Sequence, residues 1–428
     1  MGIQSAVGMK GNDFSWCGTA FFLGYICAQL PQCALLQRFP VVKVLGINAC
    51  LWGVVTGATA AVQTPTQLIA LRTLLGVFEA VVTPSLIIIT STWYKRVEGA
   101  SRFGIWFCGL GAGQIVGGLI SFAAQNSHIK AFQPWRLMFA IIGVANLIVA
   151  VSLLAWLPAG PDEARFLTLQ ERELVAHRLS EDLAGAGVKV LRLHSLLEAV
   201  ADLQTWLLCA MTALTTMSAG VVVYYSSFLI SGFGFDAPHA ALLNMPSGAI
   251  SIITTLAVTI SVARGLPRWI ATIAAILPAV AGTAMLLFVP EKRSTRPALL
   301  LGVYLVSSAP AVYAMIMATA GANYRGYTRK LAGGALIAAS FSAANVGAPM
   351  AFQARDRPEY RPAKWILLCA LGAAVLVAVL LRLVYGFRNR RAESSGLPAM
   401  SRVELGRVRR TGSRAGVAVA DRGWRYSY

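Results

Sequence analysis

LIALRTLLGVFEAVVTPSLIIITSTW, Leu68 to Trp93, is an apolar run long enough to cross a bilayer, yet it carries two ionisable side chains, Arg72 and Glu79. Charged groups at membrane depth cost several kcal/mol unless they face a protein interior or a water-filled cavity. Seven residues separate the two, close to two helical turns, so both project from one face of a helix. A cation and a carboxylate kept together on a membrane helix point to a chain that moves something charged. The residues alone leave a second reading open, an internal ion pair that only locks helices together.

Working outward, apolar runs of similar length recur along the whole chain. Of 428 residues, 57% are hydrophobic and only 13% are charged. A soluble domain of this size needs far more charge on its surface. The fold class expected is therefore an all-α polytopic membrane protein. Eleven spans are predicted, at 14–36, 43–62, 68–92, 102–124, 135–157, 204–230, 240–262, 267–289, 297–320, 331–353 and 363–387. A polar stretch of helical character, 158–203, holds most of the acidic residues. It divides the chain into an N-terminal bundle (1–157) and a C-terminal six-helix bundle (204–387). The tail, 388–428, contains ten arginines against three acids and too little apolar content to fold alone, so it is expected to be disordered.

The net charge of +19 does not indicate nucleic acid, because the basic residues fall in loops and the tail. Such charge reads as a topology signal and an attraction to anionic headgroups. Arg38, Lys43, Lys95, Arg96 and Arg102 lie in alternate loops, on the side of the 158–203 connector and the tail. The positive-inside rule places that side, with the C-terminus, in the cytosol. Lys292, Arg293 and Arg296, and also Arg355, Arg357, Arg361 and Lys364, fall on the opposite side, against the rule.

Enzyme chemistry finds no support in the sequence. Seven scattered cysteines show no paired spacing, and four isolated histidines (His128, His177, His194, His239) suggest no metal site or cofactor. Nor is there a nucleophile–base pair or a phosphate-cradling loop. In the fourth span, Gly109, Gly113 and Gly117 recur at one-face spacing, which predicts close helix packing that suits sliding contacts. Gln114 stands one residue from that stripe.

Several local patterns occur in a fixed order: GYICAQLP (24–31), LRTLLGVFEA ending at WYKR (93–96), a glycine-rich span, and a Trp135–Arg136 pair. LPAGPDEARFLTLQERELVAHRL follows from Leu157, then ANYRGYTRK and NVGAPMAF near the end. Together they resemble the anion:cation symporter branch of the major facilitator superfamily, in particular the fungal allantoate permease group. The likeness extends from about Gly2 to Phe387. It implies two six-helix bundles around a central cavity that rock in alternating access. On that template the first span here corresponds to the family's second, and the family's first helix, with its Asp-Arg pair, is expected to be missing.

The resemblance also implies roles. Arg72 would contact a substrate carboxylate, for which a planar, permanently charged guanidinium is suited. Glu79 would carry the coupling proton. Gln114, Tyr224, Tyr225, Tyr304 and Asn345 become candidate substrate contacts. Packed core, interfacial belt and, around Asn345, a helix kink at Pro349 are the competing readings. Arg38 and Arg102 lie where the superfamily braces its gates, although the usual loop aspartate is absent; simple anchoring to the membrane surface accounts for them equally well. The implied partners are a small organic anion, a proton and the bilayer, with a monomer at the plasma membrane. The alternative is a truncated, non-transporting homologue or a nutrient sensor.

Overall fold

The computed structural model describes residues 2–94, 96–127, 132–183, 193–290, 292–324, 327–348 and 360–394. Every regular element among them is helical. In chain order these are α1 (Ile3–Val7), α2 (Asp13–Arg38), α3 (Val41–Ala58), α4 (Pro65–Glu79), α5 (Val82–Trp93), α6 (Arg96–Asn126), α7 (Pro134–Trp156), α8 (Leu169–Leu183) and α9 (Leu193–Ala201). They continue with α10 (Leu203–Gly232), α11 (Ala237–Leu243), α12 (Met245–Ala263), α13 (Arg268–Phe288), α14 (Arg296–Val306), α15 (Pro310–Asn323), α16 (Tyr327–Gly347) and α17 (Arg361–Ser394).

Eight helical stretches among the described residues are long and apolar enough to cross a membrane, and Ala332–Gly347 is a shorter apolar helix. The 26-residue α2 and the 30-residue α10 add two more of membrane-spanning length. Each of the eleven expected spans thus coincides with a helix or a pair of helices. Large apolar side chains face outward along them, Ile148, Val151 and Leu376 among others, as lipid-facing surfaces require.

Three spans, each a single membrane-crossing stretch as the sequence reading drew it, are interrupted mid-way where the helical hydrogen-bond pattern lapses. The third divides at Ala80–Val81, the seventh at Asn244, and the ninth at Ser307–Ala309. Proline explains all three. Pro84, Pro246 and Pro310 stand in the first turns of α5, α12 and α15. A ring there removes the donor to the carbonyl four residues back and crowds it, which interrupts the ladder of helical hydrogen bonds.

Packing follows the chain. In the first part α2 lies on α4 and α3 on α7; in the second, α10 packs on α16 and α17, and α13 on α14 and α17. The two sets meet where α2 touches α16 and where α6 touches α11, α12 and α15. Arg136 of the Trp-Arg pair fastens α7 to the end of α3, donating to the Ala60 and Val62 carbonyls at 2.8 and 3.0 Å.

The connector and tail depart from expectation in two ways. α9 packs on α16 and α10, and its Glu198 accepts from Arg329 Nε at 2.8 Å, so this stretch belongs to the second set of helices. α17 continues through the expected tail boundary to Ser394, and Arg388 pairs with Asp202 at 2.6 Å. The rest of the tail lies outside the described residues.

Candidate functional site

Glu79 is the last residue of α4 and sits on the break at Ala80–Val81. Two glycines press α2 against this segment. A Cβ on Gly24 would strike the Thr73 carbonyl, and one on Gly76 would strike the Phe21 carbonyl. The close approach of backbones explains why both sequence patterns, GYICAQLP and LRTLLGVFEA, carry a glycine: the two patterns meet. It also places Tyr25 of α2 against Val77 and Ala80 at the break, where Thr83 and the Glu79 charge both reach its hydroxyl.

Arg72 lies within coulombic reach of Glu79, as the seven-residue spacing requires of a shared face. No hydrogen bond or ion pair within 4 Å joins the two. The guanidinium stands 5.6 Å from the centroid of the Phe139 ring on α7, close to Cys17 of α2, and its Nε is buried with no hydrogen-bond partner. An internal ion pair would have spent both charges on each other; here each is half-buried and keeps its bonding capacity.

Tyr25 also connects to the other half. It lies near Tyr313 of α15, four residues beyond the interruption at Ser307–Ala309. Tyr313 packs between Phe107 of α6, with ring centroids 5.5 Å apart, and Phe341 of α16, at 4.8 Å, and Phe341 reaches Phe22 of α2 at 6.4 Å. An aromatic chain thus spans the contact between the two sets of helices, beside Glu79. Proline interruptions of this kind fall at mid-span in both halves. The sequence reading left Tyr25 and Tyr313 out of the candidate site. Pro84 and Pro310, one in the third span and one in the ninth, were the available signal.

Other expected contacts are distributed unevenly. Gln114 Nε2 approaches Asn244 Oδ1 at 3.5 Å, bridging α6 to the break between α11 and α12. Tyr304 donates its hydroxyl to the Leu243 carbonyl at 2.8 Å, which clips α14 to α11. Asn345 is buried and its amide donates to Phe341 of its own helix at 2.9 Å; the helix continues through it to Gly347. The side chains of Tyr224 and Tyr225 lie outside the described residues. Arg38 is exposed at the end of α2, and Arg102 stacks over the Tyr94 ring at 4.7 Å.

The glycine stripe requires a correction. Nothing lies within 4 Å of a Cβ placed on Gly109, Gly113 or Gly117, so that face of α6 makes no close packing contact. The face that does carries Gly104, Gly111 and Gly118, set against Thr259, Gly248 and Met245. Their spacing of seven, rather than four, follows the shallow crossing of two long helices.

These broken spans and this two-part packing can be set beside known proteins. Residues 1–352 match the Major Facilitator Superfamily. The chain belongs to that superfamily. An uncharacterized transporter of Schizosaccharomyces pombe is 32% identical over 94% of this chain and 78% of its own. The thiamine pathway transporter of Saccharomyces cerevisiae is 33% identical, covering 86% of this chain and 70% of its own length. The allantoate permease of the same yeast is 29% identical over 92% and 74%. Among solved structures, the inward open xylose transporter of E. coli aligns with a TM-score of 0.66 at 17% identity, covering 86% of this chain and 85% of that one. A bacterial homologue of the lysosomal transporter Spinster, inward-facing, aligns at 0.62 with 15% identity, over 89% and 90%. These two likenesses establish the fold. The superfamily member described here is a multi-pass membrane transporter.

Proposed function

We propose that this transporter is a secondary carrier that imports a small organic anion together with a proton, by alternating access at the plasma membrane. The substrate classes that fit are ureido acids such as allantoate and carboxylates of the nicotinate type. The name of one yeast relative, the allantoate permease, supports a nutrient of this kind. The observation that carries the reading is the guanidinium of Arg72, whose Nε is buried and unpaired, within coulombic reach of Glu79 at a helix break.

Coupling follows from electrostatics. With the site empty, Arg72 favours the charged form of Glu79. A substrate carboxylate on Arg72 neutralises that influence, and Glu79 then takes up a proton readily. Loaded with both, the site carries no more net charge than when empty, so the halves can rock past each other without dragging an unpaired charge through low dielectric. Tyr25, between Glu79 and Tyr313, is placed to sense the protonation state from the other half. The basic loops put the connector and C-terminus in the cytosol.

Uptake of radiolabelled ureides and aromatic acids, in cells lacking their own permeases, tests this. Glu79→Gln is expected to abolish accumulation driven by a proton gradient while preserving exchange of substrate for substrate. Arg72→Gln removes a charge-assisted contact and should raise KM by about tenfold or more. Gradient-driven accumulation by Glu79→Gln at the wild-type level would exclude the glutamate as proton carrier.

A further inference from the structure

At the end of the molecule opposite the connector, the close of α10 and the start of α14 frame a cleft of about 220 Å³ lined by Gly232, Gly234, Lys292, Arg293 and Arg296. These are cations that the positive-inside rule leaves unexplained. Lys292 and Arg293 are exposed, whereas Arg296 is half-buried. Among the described residues, none of the three has a carboxylate within ion-pair distance. The nearby Asp236 is engaged by His239 at 2.6 Å.

The cleft is held in shape. Arg296 stacks over the Phe235 ring at 5.1 Å and presses its guanidinium onto Gly234, whose φ is 89° and where a Cβ would overlap the guanidinium. The loop bearing Lys292 and Arg293 is braced by Thr295, whose hydroxyl accepts from the Lys292 N–H at 3.1 Å and donates to the Pro290 carbonyl. Three cations converge on a concave surface, one of them immobilised, with no counterion among the described residues. Fixed guanidinium groups of this kind favour bidentate binding of an oxyanion.

The geometry points to an oxyanion-binding site in this cleft, separate from Arg72 and Glu79, which takes a phosphate or carboxylate group. A soluble anion and the headgroup of an anionic lipid share that chemistry, and binding measurements separate them. The full-length protein is placed in nanodiscs of phosphatidylcholine alone and titrated with inorganic phosphate by calorimetry. It is also placed in discs containing phosphatidylglycerol and assayed for retained lipid by native mass spectrometry. The Lys292→Gln/Arg293→Gln/Arg296→Gln variant should bind the preferred anion about tenfold more weakly, from the loss of charge-assisted hydrogen bonds. Phosphate binding in phosphatidylcholine discs that the triple variant loses identifies a soluble-anion site. Retained phosphatidylglycerol that the variant loses, without phosphate binding, identifies a headgroup site. Equal behaviour of wild type and variant toward both anions overturns the assignment. Should the triple variant fail to fold, the single exposed change Arg293→Gln must still weaken binding. Arg72→Gln is the separating control: it leaves this binding intact if the site is here, and if it alone abolishes binding, the anion sits at Arg72 and this assignment falls while the transport reading stands.

Discussion

Gln32 stands at the junction of three helices. Its amide donates to Asn48 Oδ1 on α3 at 2.7 Å and to the Val77 carbonyl on α4 at 3.2 Å, while the Asn48 amide donates to Val44 at 2.9 Å. Gln32→Leu leaves the buried Asn48 oxygen without its donor. Thermal unfolding of the detergent-purified protein should show a loss of about 1–2 kcal/mol, the upper end for hydrogen bonds between membrane helices. Sequence reading could not pair these two residues, because nothing in a one-dimensional pattern says which polar groups of two helices face each other. Thr168 and Glu171 are the contrasting case. Their three-residue spacing is a capping-box pattern, and at the start of α8 Glu171 accepts from the Thr168 N–H at 2.8 Å and from its hydroxyl at 3.0 Å. Those two bonds hold the Glu171 carboxyl below its usual range. A depressed carboxylate contributes stability above its unfolded value and loses it as pH falls through the folded one. Hydrogen exchange at the α8 amides should therefore accelerate below the ordinary carboxylate range, and Glu171→Gln should show the fast exchange already at neutral pH.

At the scale of elements, helix length and position were legible because a bilayer demands some twenty apolar residues per span. The breaks at Ala80, Asn244 and Ser307 were written in Pro84, Pro246 and Pro310, but proline in a membrane helix is compatible with a kink as well as a break. Which glycines pack was not legible at all. α6 carries glycines on two faces, and only the partner decides between them. Gly111 faces the Gly248 carbonyl of α12, whereas Gly113 faces open space. Gly111→Val should cost about 1–3 kcal/mol by overpacking and cut uptake, while Gly113→Val should leave thermal stability near wild type. Equal losses for both would mean that the contact face is misassigned.

For the whole molecule, the decisive feature is how the two sets of helices touch. Thr19 of α2 donates to the Val346 carbonyl of α16 at 3.1 Å, at the end away from the connector, and Phe14 and Met217 pack with Tyr360 and Leu367 nearby. If the halves rock, this contact must open and close in each cycle. A Thr19→Cys/Val346→Cys pair, in a background with the seven native cysteines replaced by serine, should stop uptake on oxidation and recover it with reductant. Full activity in the cross-linked state would show that this end stays shut throughout transport. The superfamily resemblance covers the same ground at lower resolution: it implies two rocking bundles but not the residues that join them.

From the sequence by itself come the membrane-embedded helical class, the order of the spans, and an arginine and glutamate on one face of the third. Each of these depends on composition or on spacing along a single helix, which the chain carries locally. The unpaired state of Arg72, the aromatic link from Tyr25 through Tyr313 to Phe341, the active face of α6 and the cation cleft at Arg296 were decided only by tertiary structure. All four depend on which helix lies opposite. That is set by the packing of helices distant in the chain, whose mutual rotation no periodicity records.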